Sequence, residues 1–359
     1  MKKALDLAKK GLGYTSPNPL VGAVLVKDGK VIGKGYHRFY GGPHAEVYAI
    51  EDAGTEARGA TLYVNLEPCS HYGKTPPCAL KIIEAGIKRV VVAMEDPNPL
   101  VSGKGIKLLK EAGIEVEVGL MEGEARRLNE IFLKYISTDL PFVIIKTAQT
   151  LDGYLATGTG DAKWITNREA RLYGHKLRHQ VDAILVGIGT VLADNPSLTT
   201  RLPAGGGRDG IRIVLDSKLR IPPEARIINQ DSPAKTIIAC GQEVDQNKIL
   251  QLQDKKGVEI LPLPLNREGR IPLRELLSRF HSDGISSILV EGGSRVNYSF
   301  LKSGLVDRVY TFIAPKILGG SDGIPAFTGK GPAKMDGLKR LKNVRCQNLG
   351  DNLLVIGDL

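Results

Sequence analysis

The chain has 359 residues, past the size at which a single hydrophobic core usually keeps growing, so two domains of ordinary size are expected. At 42% hydrophobic, 25% charged and 5% aromatic, it has the composition of a soluble globular protein, which excludes wholesale disorder. Basic residues exceed acidic ones by 49 − 39 = 10, which favours anionic partners; the charge is scattered with no basic tail, so small phosphates are preferred over nucleic acid.

In chain order, Met1-Lys2-Lys3 starts like a signal peptide, but Asp6, Lys9 and Lys10 interrupt the apolar run one would need, so the segment is expected to be retained and to fold. Ala4, Leu5, Ala8 and Leu12 give a helix over 3–12, stopped by Ser16-Pro17-Asn18-Pro19. Leu20 to Val26 and Val31 to Tyr36 read as a hairpin about Asp28-Gly29. A helix over 44–53, a strand over 60–66, a helix over 78–85, a strand over 89–94, a helix over 104–112, a strand over 115–118 and a helix over 122–137 complete an α/β first half. Asp139-Leu140-Pro141 is the expected boundary, giving domains 1–139 and 140–359.

The second half repeats the alternation, with strands at 142–147, 183–186, 211–215, 236–239, 287–290 and 309–314 and helices at 167–179, 272–280 and 294–303. No stretch approaches the roughly 18 apolar residues of a membrane span, and a cytoplasmic protein without membrane partners is expected. Cys240 and Cys346 sit in apolar, strand-like contexts and read as small buried hydrophobes.

His44-Ala45-Glu46 at a helix start, Pro68-Cys69 at a strand end and Pro77-Cys78 opening the next helix carry the first chemical argument. One imidazole and two thiolates leave the fourth position of a zinc ion open to water, the arrangement of a catalytic site. Zinc makes hydroxide available near neutral pH, and Glu46 stands close enough to carry protons without ligating the metal. The pattern is that of zinc nucleobase deaminases, except that eight residues rather than two separate the cysteines. A site that only holds the fold is the competing reading; His71 could then supply a fourth ligand, but Glu46 would have no task.

Three stretches bear a closer resemblance: Thr15-Ser16-Pro17-Asn18-Pro19-Leu20-Val21-Gly22, Gly42-Pro43-His44-Ala45-Glu46, and Leu66-Glu67-Pro68-Cys69-Ser70-His71-Tyr72-Gly73-Lys74-Thr75-Pro76-Pro77-Cys78. They resemble the bifunctional deaminase/reductase family of riboflavin biosynthesis, in which the widened cysteine spacing is usual. The resemblance covers nearly the whole chain. It implies a cytidine deaminase-like α/β/α domain followed by a dihydrofolate reductase-like α/β domain that uses NADPH. The reaction implied is deamination of 2,5-diamino-6-(5-phosphoribosylamino)pyrimidin-4(3H)-one, then reduction of its ribosyl group to give 5-amino-6-(5-phosphoribitylamino)uracil. Asn18 and His37 resemble pyrimidine and ribose contacts, and His71 and Lys74 contacts to phosphate or ribose. A turn-forming Asn18 and solvated His37 and Lys74 are the bland alternatives.

In the second half, Val186-Gly187-Ile188-Gly189-Thr190 and Val290-Glu291-Gly292-Gly293-Ser294 each run from a strand through glycine into a helix-like segment, which suits a phosphate, although a tight turn explains either alone. The resemblance places the cofactor at Ala148, Trp164, Thr190, Asp194 and Ser217, and along Gly293, Ser294, Arg295, Val296, Asn297, Tyr298 and Ser299. It places the substrate at Ala162, Arg178, Leu198, Arg201 and Glu291, with Lys146 and Asp152 assisting. Lys146 and Glu291 join Glu46 as catalytic candidates. Arg178 and Arg201 suit phosphate because guanidinium binds it through paired hydrogen bonds; a solvated helix-end cation is the alternative for Arg178, and a core or rim residue for Trp164. The expected partners are the phosphorylated pyrimidine and further copies of the chain in a homo-oligomer. The rivals are a nucleic-acid deaminase, which leaves 140–359 without a purpose, and a zinc-stabilised RNA-binding module with a silent second half.

Overall fold

The computed structural model describes residues 1–70, 76–98 and 102–359. It divides into two compact units, Met1–Asp139 and Leu140–Leu359.

In the first unit the opening helix α1 (Lys2–Ala8) is shorter than its apolar spacing predicts and ends in a 3-10 turn over Lys9–Gly11. The hairpin forms from β1 (Gly22–Lys27) and β2 (Lys30–Tyr36). Asp28 and Gly29 both take positive φ, 49° and 74°, the turn geometry that suits the twist of two antiparallel strands. After α2 (Ala45–Ala53) come β3 (Thr61–Val64), α3 (Cys78–Glu84), β4 (Arg89–Val92), α4 (Lys104–Glu111) and β5 (Glu115–Val118). The sheet order is β2-β1-β3-β4-β5, with β3, β4 and β5 parallel. Leu25, Leu62, Val64, Val90 and Val92 are fully buried and form its core with Ile82 and Leu109.

The single helix expected over 122–137 is two, α5 (Glu122–Leu128) and α6 (Glu130–Ser137), broken at Asn129. The buried Asn129 side chain accepts the Leu20 N–H at 2.7 Å and donates to the Leu20 carbonyl at 3.0 Å. Asn65 also donates to that carbonyl, at 2.8 Å. These side chains, not a strand partner, satisfy Leu20, and β1 starts at Gly22 instead of Leu20.

The second unit is built on β6 (Phe142–Gln149), β7 (Tyr154–Ala156), α7 (Arg168–Gln180), β8 (Ala183–Gly187), α8 (Ile188–Asp194), β9 (Ile211–Leu215) and β10 (Thr236–Gly241). There follow α9 (Gln246–Gln253), β11 (Val258–Leu263), α10 (Leu273–Ser282), β12 (Ser287–Val290), α11 (Ser294–Lys302), β13 (Arg308–Ile313), β14 (Ile324–Pro325), β15 (Lys342–Leu349) and β16 (Asn352–Asp358). Its nine-stranded sheet runs β11-β10-β9-β8-β12-β6-β13-β16-β15. The first seven strands of that order pair in parallel, and β16 and β15 are antiparallel. β8, β10 and β12 are buried along their whole length, as central parallel strands covered on both faces must be. Cys240 is buried on β10 as expected, but Cys346 is exposed on the edge strand β15. No helix among the described residues is long and apolar enough to cross a membrane.

Candidate active sites

The first site forms where three elements begin or end. His44 is the N-cap of α2, with an extended backbone, and Glu46 lies in the first turn of that helix. Cys78 opens α3, and Cys69 follows β3; the Cys78 N–H donates to Cys69 Sγ at 3.3 Å, and the Ala79 N–H to the Cys69 carbonyl at 3.1 Å. His44 Nδ1 lies 3.2 Å from Cys78 Sγ and 3.6 Å from Cys69 Sγ, and the three donor atoms fall within 4.8 Å of one another. An N-to-S edge of about 3.5 Å is what a tetrahedral zinc with ordinary Zn–N and Zn–S bonds requires, so the donor set fits the metal.

Glu46 is 3% exposed, and its Oε2 has no hydrogen-bond partner among the described residues. Burial pushes its carboxyl up to about 7. Hydrogen bonds from Cys78 and then His44 pull the Cys69 thiol down to about 4, the thiolate a metal needs. The His37 ring sits edge-on to that of His44, with centroids 5.4 Å apart. Its Nδ1 donates to the Pro43 carbonyl at 3.0 Å, leaving Nε2 to accept from Asn18 Nδ2 at 3.2 Å; burial lowers the pKa of the ring.

Asn18, His37, His44, Glu46 and Cys69 line one cavity of about 330 Å³. Tyr40, Asp96, Asn98 and Tyr135 line it too, and sequence reasoning missed them. Asp96 and Asn98 follow the carboxyl end of a parallel strand, the usual place for ligand contacts, a signal that could have found them. Glu67 was also missed as a support. Its carboxylate accepts the N–H groups of Asp96 (3.2 Å), Gly103 (3.0 Å), Gly105 (2.9 Å) and Ile106 (3.2 Å), fastening the start of α4 beside the Cys69 segment. Predicted His71 and Lys74 lie outside the described residues.

The second site follows from strand order. β12 lies between β8 and β6, with Val290 opposite Ile145 and Leu185, so Glu291 leaves the sheet beside Lys146 and Val186. Arg178 on α7 grips Glu291 with two parallel bonds, Nε to Oε1 at 2.6 Å and Nη2 to Oε2 at 2.8 Å. Its Nη1 donates to the Thr199 carbonyl at 2.9 Å. The edge of Arg178 expected to grip phosphate is thus occupied by Glu291. Burial alone would push Glu291 up, but the charge and hydrogen bonds of Arg178 outweigh it and hold the carboxyl at about 2. Lys146 lies 5.7 Å from the Phe312 ring centroid, and burial lowers its pKa.

The two glycine stretches meet. The Gly187 N–H donates to the Gly292 carbonyl at 2.8 Å, and a Cβ on Gly293 would stand 3.3 Å from Thr190 Oγ1. Gly292 takes φ +116° with open space around the missing side chain, so bare backbone faces the region where α11 begins. This fits a dinucleotide phosphate. Ala148 lies on β6, Asp194 ends α8, and Ser217 follows β9, its carbonyl accepting the Gly241 N–H at 3.0 Å.

Other expected contacts have structural duties. The side chains of Ser294, Asn297 and Tyr298 bond to Thr328, the Ala326 carbonyl and the Lys330 carbonyl, and Ser299 Oγ donates to the Arg295 carbonyl. Asp152 accepts the N–H groups of Leu318 and Gly319, at 3.1 Å and 2.9 Å. Trp164 is 64% exposed, not a core residue, with the Arg171 guanidinium 4.6 Å over its ring. Arg201 is exposed, Ala162 half-buried and Leu198 buried.

A zinc-type deaminase unit joined to an α/β unit with a glycine-lined strand switch defines a two-site enzyme. Residues 1–94 match the family model for the cytidine and deoxycytidylate deaminase zinc-binding region, and residues 141–355 that for the RibD C-terminal domain. Riboflavin biosynthesis protein RibD of Aquifex aeolicus is 48% identical over 355 residues, covering 99% of this chain and 96% of the relative. That of Escherichia coli is 42% identical, with 98% and 96% covered. Acinetobacter baumannii RibD superposes with a TM-score of 0.89 at 38% identity, covering 99% and 97% of the two chains. A Thermotoga maritima structure, titled as a diaminohydroxyphosphoribosylaminopyrimidine deaminase/5-amino-6-(5-phosphoribosylamino)uracil reductase, gives 0.87 at 40% identity, with 100% and 97% covered. The chain belongs to the RibD family of bifunctional riboflavin biosynthesis enzymes.

Proposed function

We propose that residues 1–139 deaminate 2,5-diamino-6-(5-phosphoribosylamino)pyrimidin-4(3H)-one and that residues 140–359 then reduce the ribosyl group with NADPH. The observation that carries the first half is the His44, Cys69, Cys78 triad with the buried Glu46 carboxyl lining the same cavity as His44 and Cys69. Zinc held by His44, Cys69 and Cys78 supplies the Lewis acidity that makes hydroxide available near neutral pH. Glu46, with its carboxyl raised to about 7, takes one proton from the attacking water and gives it to the ring nitrogen, then carries the remaining hydroxyl proton of the adduct to the amine as it departs as ammonia. Asn18 and His37 orient the pyrimidine and its ribose. His71 and Lys74 are assigned to the substrate phosphate by resemblance.

In the second half NADPH supplies the hydride. Bound there, it would reduce C1′, and the ring oxygen released from C1′ would then need a proton. Lys146, whose pKa burial lowers, gives that proton, while Glu291, held as a carboxylate by Arg178, accepts from sugar hydroxyls. Arg201 holds the substrate's phosphate. The Gly293 to Ser299 turn, with Ala148, Trp164, Thr190, Asp194 and Ser217, holds the cofactor; Ala162, Leu198 and Asp152 shape the substrate side. The working form is a homo-oligomer without nucleic-acid partners.

Glu46→Gln keeps size and polarity but cannot carry the proton. It should abolish ammonia release and leave NADPH oxidation intact when the already deaminated substrate is supplied. Loss of both activities in a folded variant would contradict the division of labour.

A further inference from the structure

The α7 face that grips Glu291 also holds the 195–210 segment. Arg178 Nη1 donates to the Thr199 carbonyl at 2.9 Å, and one turn earlier His175 Nδ1 accepts the Arg201 N–H at 3.2 Å. His179 Nδ1 accepts the Arg208 N–H at 3.2 Å at the segment's far end. Spacings of three and four residues put 175, 178 and 179 on one side of the helix. The segment contains Gly205-Gly206-Gly207, so its course depends on these holds more than on its own torsional preferences.

An imidazole whose Nδ1 accepts a main-chain N–H is neutral, with its proton on Nε2. Burial, then the cations Arg178 and Arg201, hold the His175 pKa down at about 4; Glu291 opposes them and Lys146 adds to them. The acceptor therefore persists across the neutral range. The bond it makes is at the surface, where water could satisfy the Arg201 N–H equally well. What the imidazole adds is placement. Arg201 Nη1 is steadied on Thr199 Oγ1 at 2.9 Å, which leaves the remaining guanidinium N–H groups for an anion. The Thr199 carbonyl is tied through Arg178 to Glu291, so one connected set of bonds fixes the Arg201 head relative to the carboxylate at the end of β12.

We propose that His175 is a positioning residue of the reductase site, holding the main chain at Arg201 so that its guanidinium meets the substrate's phosphate. This rests on the assignment of Arg201 given above, and the test separates the two. Steady-state NADPH oxidation by the full chain is measured with the deaminated substrate and with its dephosphorylated counterpart, for the wild type, Arg201→Ala, His175→Leu and His175→Asn. Asn presents an amide oxygen where Nδ1 stands. His175→Leu should raise KM for the phosphorylated substrate about tenfold, the size of one lost hydrogen bond, with kcat within about twofold. The dephosphorylated substrate should be unaffected, and His175→Asn should recover most of the loss. Equal losses on both substrates, or no recovery with Asn, would make His175 a fold support and overturn the proposal. If Arg201→Ala discriminates between the substrates and His175→Leu leaves KM unchanged, the His175 role alone falls. If Arg201→Ala does not discriminate, the assignment of Arg201 falls and the proposal with it.

Discussion

Two buried carboxyls, Glu46 and Glu291, meet opposite fates, and the charge beside each decides which. Burial dominates at Glu46 and raises it to about 7, the range of a group that gives and takes protons at neutral pH. At Glu291 the bidentate Arg178 outweighs burial and holds the group near 2. Because that folded-state pKa lies below the unfolded one, the pair contributes stability that is fully present above about pH 5 and lost as pH falls towards 2. The shift corresponds to a contribution on the order of 3 kcal/mol. Glu291→Gln should therefore flatten the acid limb of stability of the second unit between about pH 5 and pH 2. Urea unfolding followed through Trp164, the single tryptophan of the chain, reads this directly. A variant whose acid limb matches the wild type would contradict the pairing.

At the scale of elements, what could be read from sequence was whatever has a local cause. The short, β-branched apolar runs of β8, β10 and β12 favour buried strands, and Asp28-Gly29 suits a hairpin turn. His44, Glu46 and Cys78 were legible because each starts an element at a spacing that chemistry requires. The break between α5 and α6 was not, because its cause, Leu20, lies 109 residues away from Asn129. β15 was missed for a different reason: Lys342–Leu349 is an edge strand exposed almost throughout, and its alternation of apolar and polar residues, Val344 to Gln347, is too short to mark a strand. Cys346 was misjudged with it. Tyr40 and Tyr135 carry no motif, and only the folded cavity brings them to the site. Asn129→Ala would leave the buried Leu20 N–H without its acceptor, a loss of about 1–3 kcal/mol. Because Leu20 stands two residues from Asn18, ammonia release should fall while reduction of the deaminated substrate is kept. An unchanged melting temperature with normal ammonia release would show that the bridge is not needed.

For the molecule as a whole, two compact units, Met1–Asp139 and Leu140–Leu359, carry two candidate sites with no residue in common. The excess of ten basic residues suits a substrate and a cofactor that are both phosphorylated. The central claim is that one chain performs both steps, deamination before reduction. The most direct test gives the zinc-loaded protein the diamino substrate with and without NADPH, and follows ammonia and cofactor absorbance together. Ammonia should appear in both mixtures, with NADPH consumed after a lag and in no more than equal amount. NADPH consumption without ammonia, or ammonia that appears only when NADPH is present, would contradict the account.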